Sequence, residues 1–234
     1  MKYKNISAII ILWVLLTLPG YAEELEICDD SPIPEGWAVT VSGGDSYACG
    51  HGRTIVIQNI QQVKAEKLEV CYDSPIPEGW VITELGRNSN ACDNKRAILI
   101  QNIQEVTAKE FEICSESPIP EGWVITVLGE NSYACGDGRA IIIKNIQQAK
   151  ELEICSESPI PEGWVITVSG RNSYACGNGS TRVIKNIQEV VMATLSVCSN
   201  SPIPQRWVIV ARDDLIDDSC GSLYGTRMKI KKIN

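Results

Sequence analysis

From residue 25 onward the chain alternates apolar and other positions in short bursts that come back at nearly constant intervals. The first is Leu25-Glu26-Ile27-Cys28, repeated as Leu68 to Cys71, Phe111 to Cys114, Leu152 to Cys155 and Leu195 to Cys198. Alternation with period two predicts a strand, here strand A of a repeat. Nine residues after each of these cysteines stands a tryptophan: Trp37, Trp80, Trp123, Trp164 and Trp207. Each opens a run rich in β-branched residues, such as Trp123 to Val127, which predicts strand B. A third burst, Ala140 to Ile146 and its equivalents, predicts strand C.

Strand C carries a second pattern. Ile57, Ile100, Ile143, Ile184 and Ile230 hold one position, and the next is always polar. The position before, which points to the opposite face, is Val56, Leu99, Ile142 and Val183, then Lys229 in the last copy. A strand apolar on both faces is expected to be covered on both. The four aliphatic residues are therefore expected at contacts between neighbouring repeats, with Lys229 facing water as in a capping repeat.

These bursts divide the chain into five repeats: 23–64, 65–107, 108–149, 150–192 and 193–234. The opening cysteines lie 43, 43, 41 and 43 residues apart, and the two cysteines of a repeat are 21 or 22 apart. Pairing within each repeat uses all ten, whereas pairing across boundaries strands Cys28 and Cys220 unless the array closes on itself. The expected bonds are Cys28–Cys49, Cys71–Cys92, Cys114–Cys135, Cys155–Cys176 and Cys198–Cys220. Each closes a loop of about 20 residues, which stabilises a unit too small to hold itself by burial alone by roughly 3 kcal/mol. The predicted fold is all-β, five tandem disulfide-stapled three-stranded repeats in an open linear array. The alternative is a closed five-bladed, propeller-like ring. The tryptophans are expected to plug the core of their own repeat against its disulfide.

Between strands A and B every repeat has Ser-Pro-Ile-Pro, whose prolines stiffen the chain and exclude it from a central strand. Pro34-Glu35-Gly36 fits positions i+1 to i+3 of a type I turn. Repeat five has Gln205-Arg206 where the others have Glu-Gly, which argues that no positive φ is needed there.

Residues 1–22 read as a signal peptide. Lys2 and Lys4 precede the 13 apolar-rich residues Ile6 to Leu18, and Gly20 and Ala22 are the small residues of a cleavage site. No later stretch is long and apolar enough to span a membrane. An even number of cysteines after such a leader predicts disulfides in a secreted chain, extracellular or periplasmic. Without the leader's two lysines the net charge is −10. That acidity disfavours nucleic acid and anionic membrane surfaces as partners.

The residues offer little for catalysis. His51 is the one histidine and sits between glycines, which suits a solvated loop. No nucleophile–base arrangement can be assembled around it. Asp29, Asp30, Asp45, Glu116, Asp137 and Glu157 flank the cysteines, but their spacing fits no calcium loop. No cofactor, no metal and no enzymatic activity are expected. Asn178-Gly179-Ser180 matches a glycosylation acceptor once. Tyr47, Tyr133 and Tyr174 are the candidate ligand contacts. Each precedes the second cysteine of its repeat by two in a polar loop, and Asn90 and Asp218 replace them elsewhere, so folding does not require them. Glu112 to Val127 and Glu153 to Val168 are identical at every position, and repeating one surface favours avidity. The expected function is a multivalent binding or adhesion protein for an extracellular glycan or protein surface. A multi-headed protease inhibitor acting through the Ser-Pro-Ile-Pro-Glu segment, or a structural envelope component, is the alternative.

Overall fold

A computed structural model describes residues 22–233 apart from 51, 64, 105–107, 137, 189, 191–193, 214 and 222–224. Residues 1–21 of the predicted leader, His51 and Asp137 lie outside the described residues.

Each repeat is one antiparallel sheet. Repeat one holds β1 (Glu24–Cys28), β2 (Trp37–Ser46) and β3 (Gly52–Asn59). Repeat two holds β4 (Lys67–Cys71), β5 (Trp80–Asn88) and β6 (Arg96–Asn102). Repeat three holds β7 (Glu110–Cys114), β8 (Trp123–Asn131) and β9 (Arg139–Asn145). Repeat four holds β10 (Glu151–Cys155), β11 (Trp164–Ser173) and β12 (Gly179–Asn186). Repeat five holds β13 (Thr194–Cys198), β14 (Trp207–Asp213) and β15 (Arg227–Lys232). Strand C is the middle strand every time, in the order β1-β3-β2 and its equivalents. The Ser-Pro-Ile-Pro segment carries the chain from A across to B without pairing, and the aliphatic strand C fills the gap between them. The five cysteine pairs are bonded within their repeats, with Cα separations of 5.3–5.6 Å.

Strand B bulges in every repeat. In repeat one Val39 pairs with Ile57 and Val41 with Val56, leaving Thr40 over. The bulge twists the strand locally and leaves a ladder position open. Thr40, Thr83, Thr126 and Thr167 fill it by donating their hydroxyls to the carbonyls of Val56, Leu99, Ile142 and Val183, at 3.2–3.4 Å.

The turn before strand B differs from the expectation. Trp37 N–H donates to the Pro34 carbonyl at 3.2 Å, so Pro34 is position i and Gly36 is position i+2. Gly36, Gly79, Gly122 and Gly163 have φ of 80–84°, and Arg206 has φ of 65°. A positive φ at that position defines a type II turn. The position does require the left-handed region, and Arg206 adopts it despite its Cβ.

The repeats form an open linear series. Contacts join β2 to β4, β5 to β7, β8 to β10 and β11 to β13, and no comparable contact joins the first repeat to the fifth among the described residues. The packing is interlocked rather than bead-like. The core around Trp80, Ile82, Ile98 and Ile100 also takes Ala38 and Ile60 from repeat one and Cys114 and Cys135 from repeat three. The cores around Trp123 and Trp164 likewise combine residues of the preceding repeat with both cysteines of the following one. Trp37, Trp80, Trp123 and Trp164 therefore share a core with the disulfide of the following repeat, not with their own as the sequence suggested, and the core of Trp207 takes in no cysteine. Trp80, Trp123, Trp164 and Trp207 are buried, whereas Trp37 is half-buried.

Polar contacts seal each junction. The buried hydroxyls of Ser74, Ser117, Ser158 and Ser201 accept from the backbone N–H groups of Val39, Ile82, Ile125 and Ile166 in the preceding repeat, at 2.8–2.9 Å. A second backbone bond crosses from Ser42 to Ala91, from Leu128 to Ala175 and from Ser169 to Ser219, each at 2.7 Å. The serine of Ser-Pro-Ile-Pro is thus a junction residue. The isoleucine of the same segment (Ile76, Ile119, Ile160, Ile203) packs against the core.

Val56, Leu99, Ile142 and Val183 are only half-buried and belong to none of the core clusters. The expectation that they form the junctions is corrected. They stand on the opposite face of the sheet from the tryptophans, inside single repeats. Lys229, at the same position in repeat five, is exposed.

A groove repeated along one face

In repeats two and three the half-buried aliphatic residue of strand C lines an open groove. Residues directly opposite across antiparallel strands share a face, and the register sets Glu112, Ile142 and Val127 side by side. Glu26, Val56 and Val41 stand together likewise in repeat one, and Glu153, Val183 and Val168 in repeat four. Repeat two has Glu69, Leu99 and Glu84, and repeat five has Ser196, Lys229 and Ala211. In repeat three the groove also takes in Asn131, Ser132 and Tyr133 and, wide open to solvent, measures about 490 Å³. That volume lies within the range of small-ligand clefts, roughly 300–1,000 Å³. A corresponding groove in repeat two runs past Asn88, Ser89 and Leu99.

The three candidate tyrosines are almost wholly exposed: Tyr47 at 90 %, Tyr133 at 99 % and Tyr174 at 93 %. Tyr47 and Tyr133 each open a single 3₁₀ turn that ends in the second cysteine of the repeat. The disulfide draws that cysteine toward the junction, and the tyrosine two residues earlier is left outside. The repeats that carry a tyrosine are the same three that carry Glu, an aliphatic floor and Val in the groove. Where Asn90 and Asp218 replace the tyrosine, Glu84 and Ala211 replace the valine. Side chains on two different segments thus vary together.

The carboxylates are held lightly. Thr181 donates to Glu153 at 2.6 Å, and Ser89 donates to Glu69 at 3.3 Å. Among the described residues no cluster of three or more His, Cys, Asp or Glu could hold a metal ion. Asp29, Asp30, Glu116 and Glu157 are exposed. Asn178 lies exposed in a turn with φ of 62°. No described helix is long and apolar enough to cross a membrane.

No known protein-family model matches the chain, and no match was found among curated proteins or solved structures.

Proposed function

We propose that this protein is a secreted, non-enzymatic, multivalent binding protein whose grooves in repeats one, three and four take sugar units of an extracellular glycan. The observation that carries the reading is the joint occurrence of an exposed tyrosine, an aliphatic floor and a carboxylate in the same three repeats. Such a groove offers a π-face and an apolar strip to the C–H face of a sugar ring, with carboxylate and amide groups for its hydroxyls. The acidic surface favours a neutral or cationic glycan. Five disulfides suit an oxidising compartment outside the cytoplasm, in line with the predicted leader. Against the inhibitor reading, the serine of the Ser-Pro-Ile-Pro segment in repeats two to five is held at a junction by a backbone N–H of the preceding repeat.

The test is binding of the purified chain to an array of extracellular polysaccharides, parent against variants. Tyr133→Ala should weaken binding several-fold, and removing all three tyrosines by more than about 100-fold, since avidity multiplies the single-site losses. Ile142→Lys should act on binding in the same direction with an unchanged melting temperature, because the side chain reaches water from the groove. Equal binding by the parent and the triple variant, both folded by circular dichroism, sinks the groove as the site. Tyrosine-dependent binding to protein-coated surfaces and to no glycan would replace the ligand class.

A further inference from the structure

The two ends of the array are the two unfilled halves of the junction that its interior builds four times. At the C-terminal end, Val208 is 39 % exposed, Ile209 38 % and Ile233 47 %. Their equivalents are Ala38, Val39 and Ile60 in repeat one, Val81, Ile82 and Ile103 in repeat two, and the corresponding residues of repeats three and four. All of these are buried under the next repeat. The Ile209 N–H meets no serine hydroxyl among the described residues, although Ile82, Ile125 and Ile166 each find one.

The N-terminal end shows the other half. Leu25 is exposed, and Ile27, Cys28, Ser31, Trp37 and Cys49 are only half-buried. The cysteine, serine and tryptophan positions equivalent to these are all buried in repeats two to five. The Ser31 hydroxyl has no backbone N–H to accept from among the described residues. The unused donor at one end and the unused acceptor at the other are the two sides of one hydrogen bond.

Charge adds a direction. Residues 23–64 hold seven acidic and two basic side chains, and residues 193–234 hold four and six. Glu24, Glu26, Asp29 and Asp30 are exposed on and just after β1, while Arg206 is exposed just before β14 and Arg212 near its end. Those are the two edge strands that a junction would bring together, because every internal junction joins strand B to the next strand A.

We infer that the occupant of each end is the opposite end of a second copy of this chain. Repeat five receives repeat one of the next molecule as repeat four receives repeat five. The contact is heterologous, so it generates chains of molecules rather than closed dimers. It prolongs the row of grooves, and it holds whether or not those grooves bind a glycan.

The experiment uses the full chain, expressed with its leader into an oxidising compartment and purified after export. Sedimentation and light scattering measure its mass across a concentration series. The parent should grow in mass with concentration, and growth should weaken as salt screens the opposed charges. Val208→Asp blocks the C-terminal face and Leu25→Arg blocks the N-terminal face. Both sit on exposed positions, and each should be monomeric alone with an unchanged melting temperature. Mixed, they should form a one-to-one dimer and nothing larger, because only one pair of intact faces remains. A parent that stays monomeric throughout overturns the inference. So does a Leu25→Arg variant that dimerises alone, which would mean that the C-terminal face pairs with itself.

Discussion

Two residues of repeat five show how a side chain can be forced by its surroundings. Arg206 takes a left-handed backbone because the turn before strand B offers no alternative. The Ile233 N–H must reach the Arg206 carbonyl, as the Ile60 N–H reaches Gly36. The second residue is Asp217. Its pKa is lowered from 3.8 to about 2, first by the Ser219 hydroxyl and then by Arg227. Arg227 also donates to Ser219 at 2.6 Å and to the Thr167 carbonyl of repeat four at 3.3 Å, so the cluster ties the last loop to its neighbour. A carboxyl with a depressed folded-state pKa stabilises the fold fully above its unfolded pKa. It loses that contribution as pH falls through the folded one. The melting-temperature gap between the parent and Asp217→Asn should therefore be constant above about pH 4 and shrink toward pH 2. An NMR titration should place the Asp217 midpoint near 2. A midpoint near 3.8 would mean that the Ser219 and Arg227 contacts do not persist in solution.

The strands were legible in the sequence because each carries its own signal: alternation in A, β-branching after the tryptophan in B, an aliphatic run in C. The disulfide pairs were legible because, in an open array, pairing each cysteine with a neighbour leaves none over only when the pairs lie within repeats. Strand order was not, and two misassignments follow from that. With C in the middle of the sheet, its second apolar face looks out over the groove, so Val56, Leu99, Ile142 and Val183 belong to single repeats. With B on the edge, its tryptophan, valine and isoleucine lie against the next repeat, so a tryptophan meets the following disulfide. The tyrosines stood out because repeats two and five carry Asn90 and Asp218 in their place. Their groove partners Glu26, Glu112, Glu153, Val41, Val127 and Val168 did not, because cross-strand register joins residues far apart in sequence. The edge position of B also ranks the tryptophans. Trp123→Ala should cost about 3–5 kcal/mol in denaturant unfolding, as large aromatic truncations in filled cores do. Trp37→Ala should cost less, since its ring is already half in water. Equal losses at the two sites would mean that the tryptophans serve their own repeats alone.

At the scale of the whole molecule the shared cores set the mechanical character of the array. A unit of about 43 residues with three strands has little core of its own. Here each internal core takes side chains from three consecutive repeats, so stability resides in the junctions as much as in the sheets. That coupling keeps neighbouring grooves in fixed relation, which avidity for a regular polymer requires. It also predicts where the array can be cut. Val124 is wholly buried, lies on strand B of repeat three and packs in the core of Ile154 and Trp164 in repeat four. Val124→Asp places an unpaired carboxylate in that junction at a cost of several kcal/mol. Its own sheet keeps its ladder, and its disulfide is untouched. The parent should unfold in one calorimetric transition, because no repeat can lose its core without exposing its neighbours. The variant should unfold in two, repeats four and five separating from repeats one to three. Hydrogen exchange should then be faster at Ile125, whose N–H is capped by Ser158 across the cut. Protection at Ile82, capped by Ser117 one junction earlier, should persist. A variant that still melts in one step at the parent's temperature would show that the junctions carry no stability. The repeats would then be independent units, and a fixed row of grooves could not be maintained.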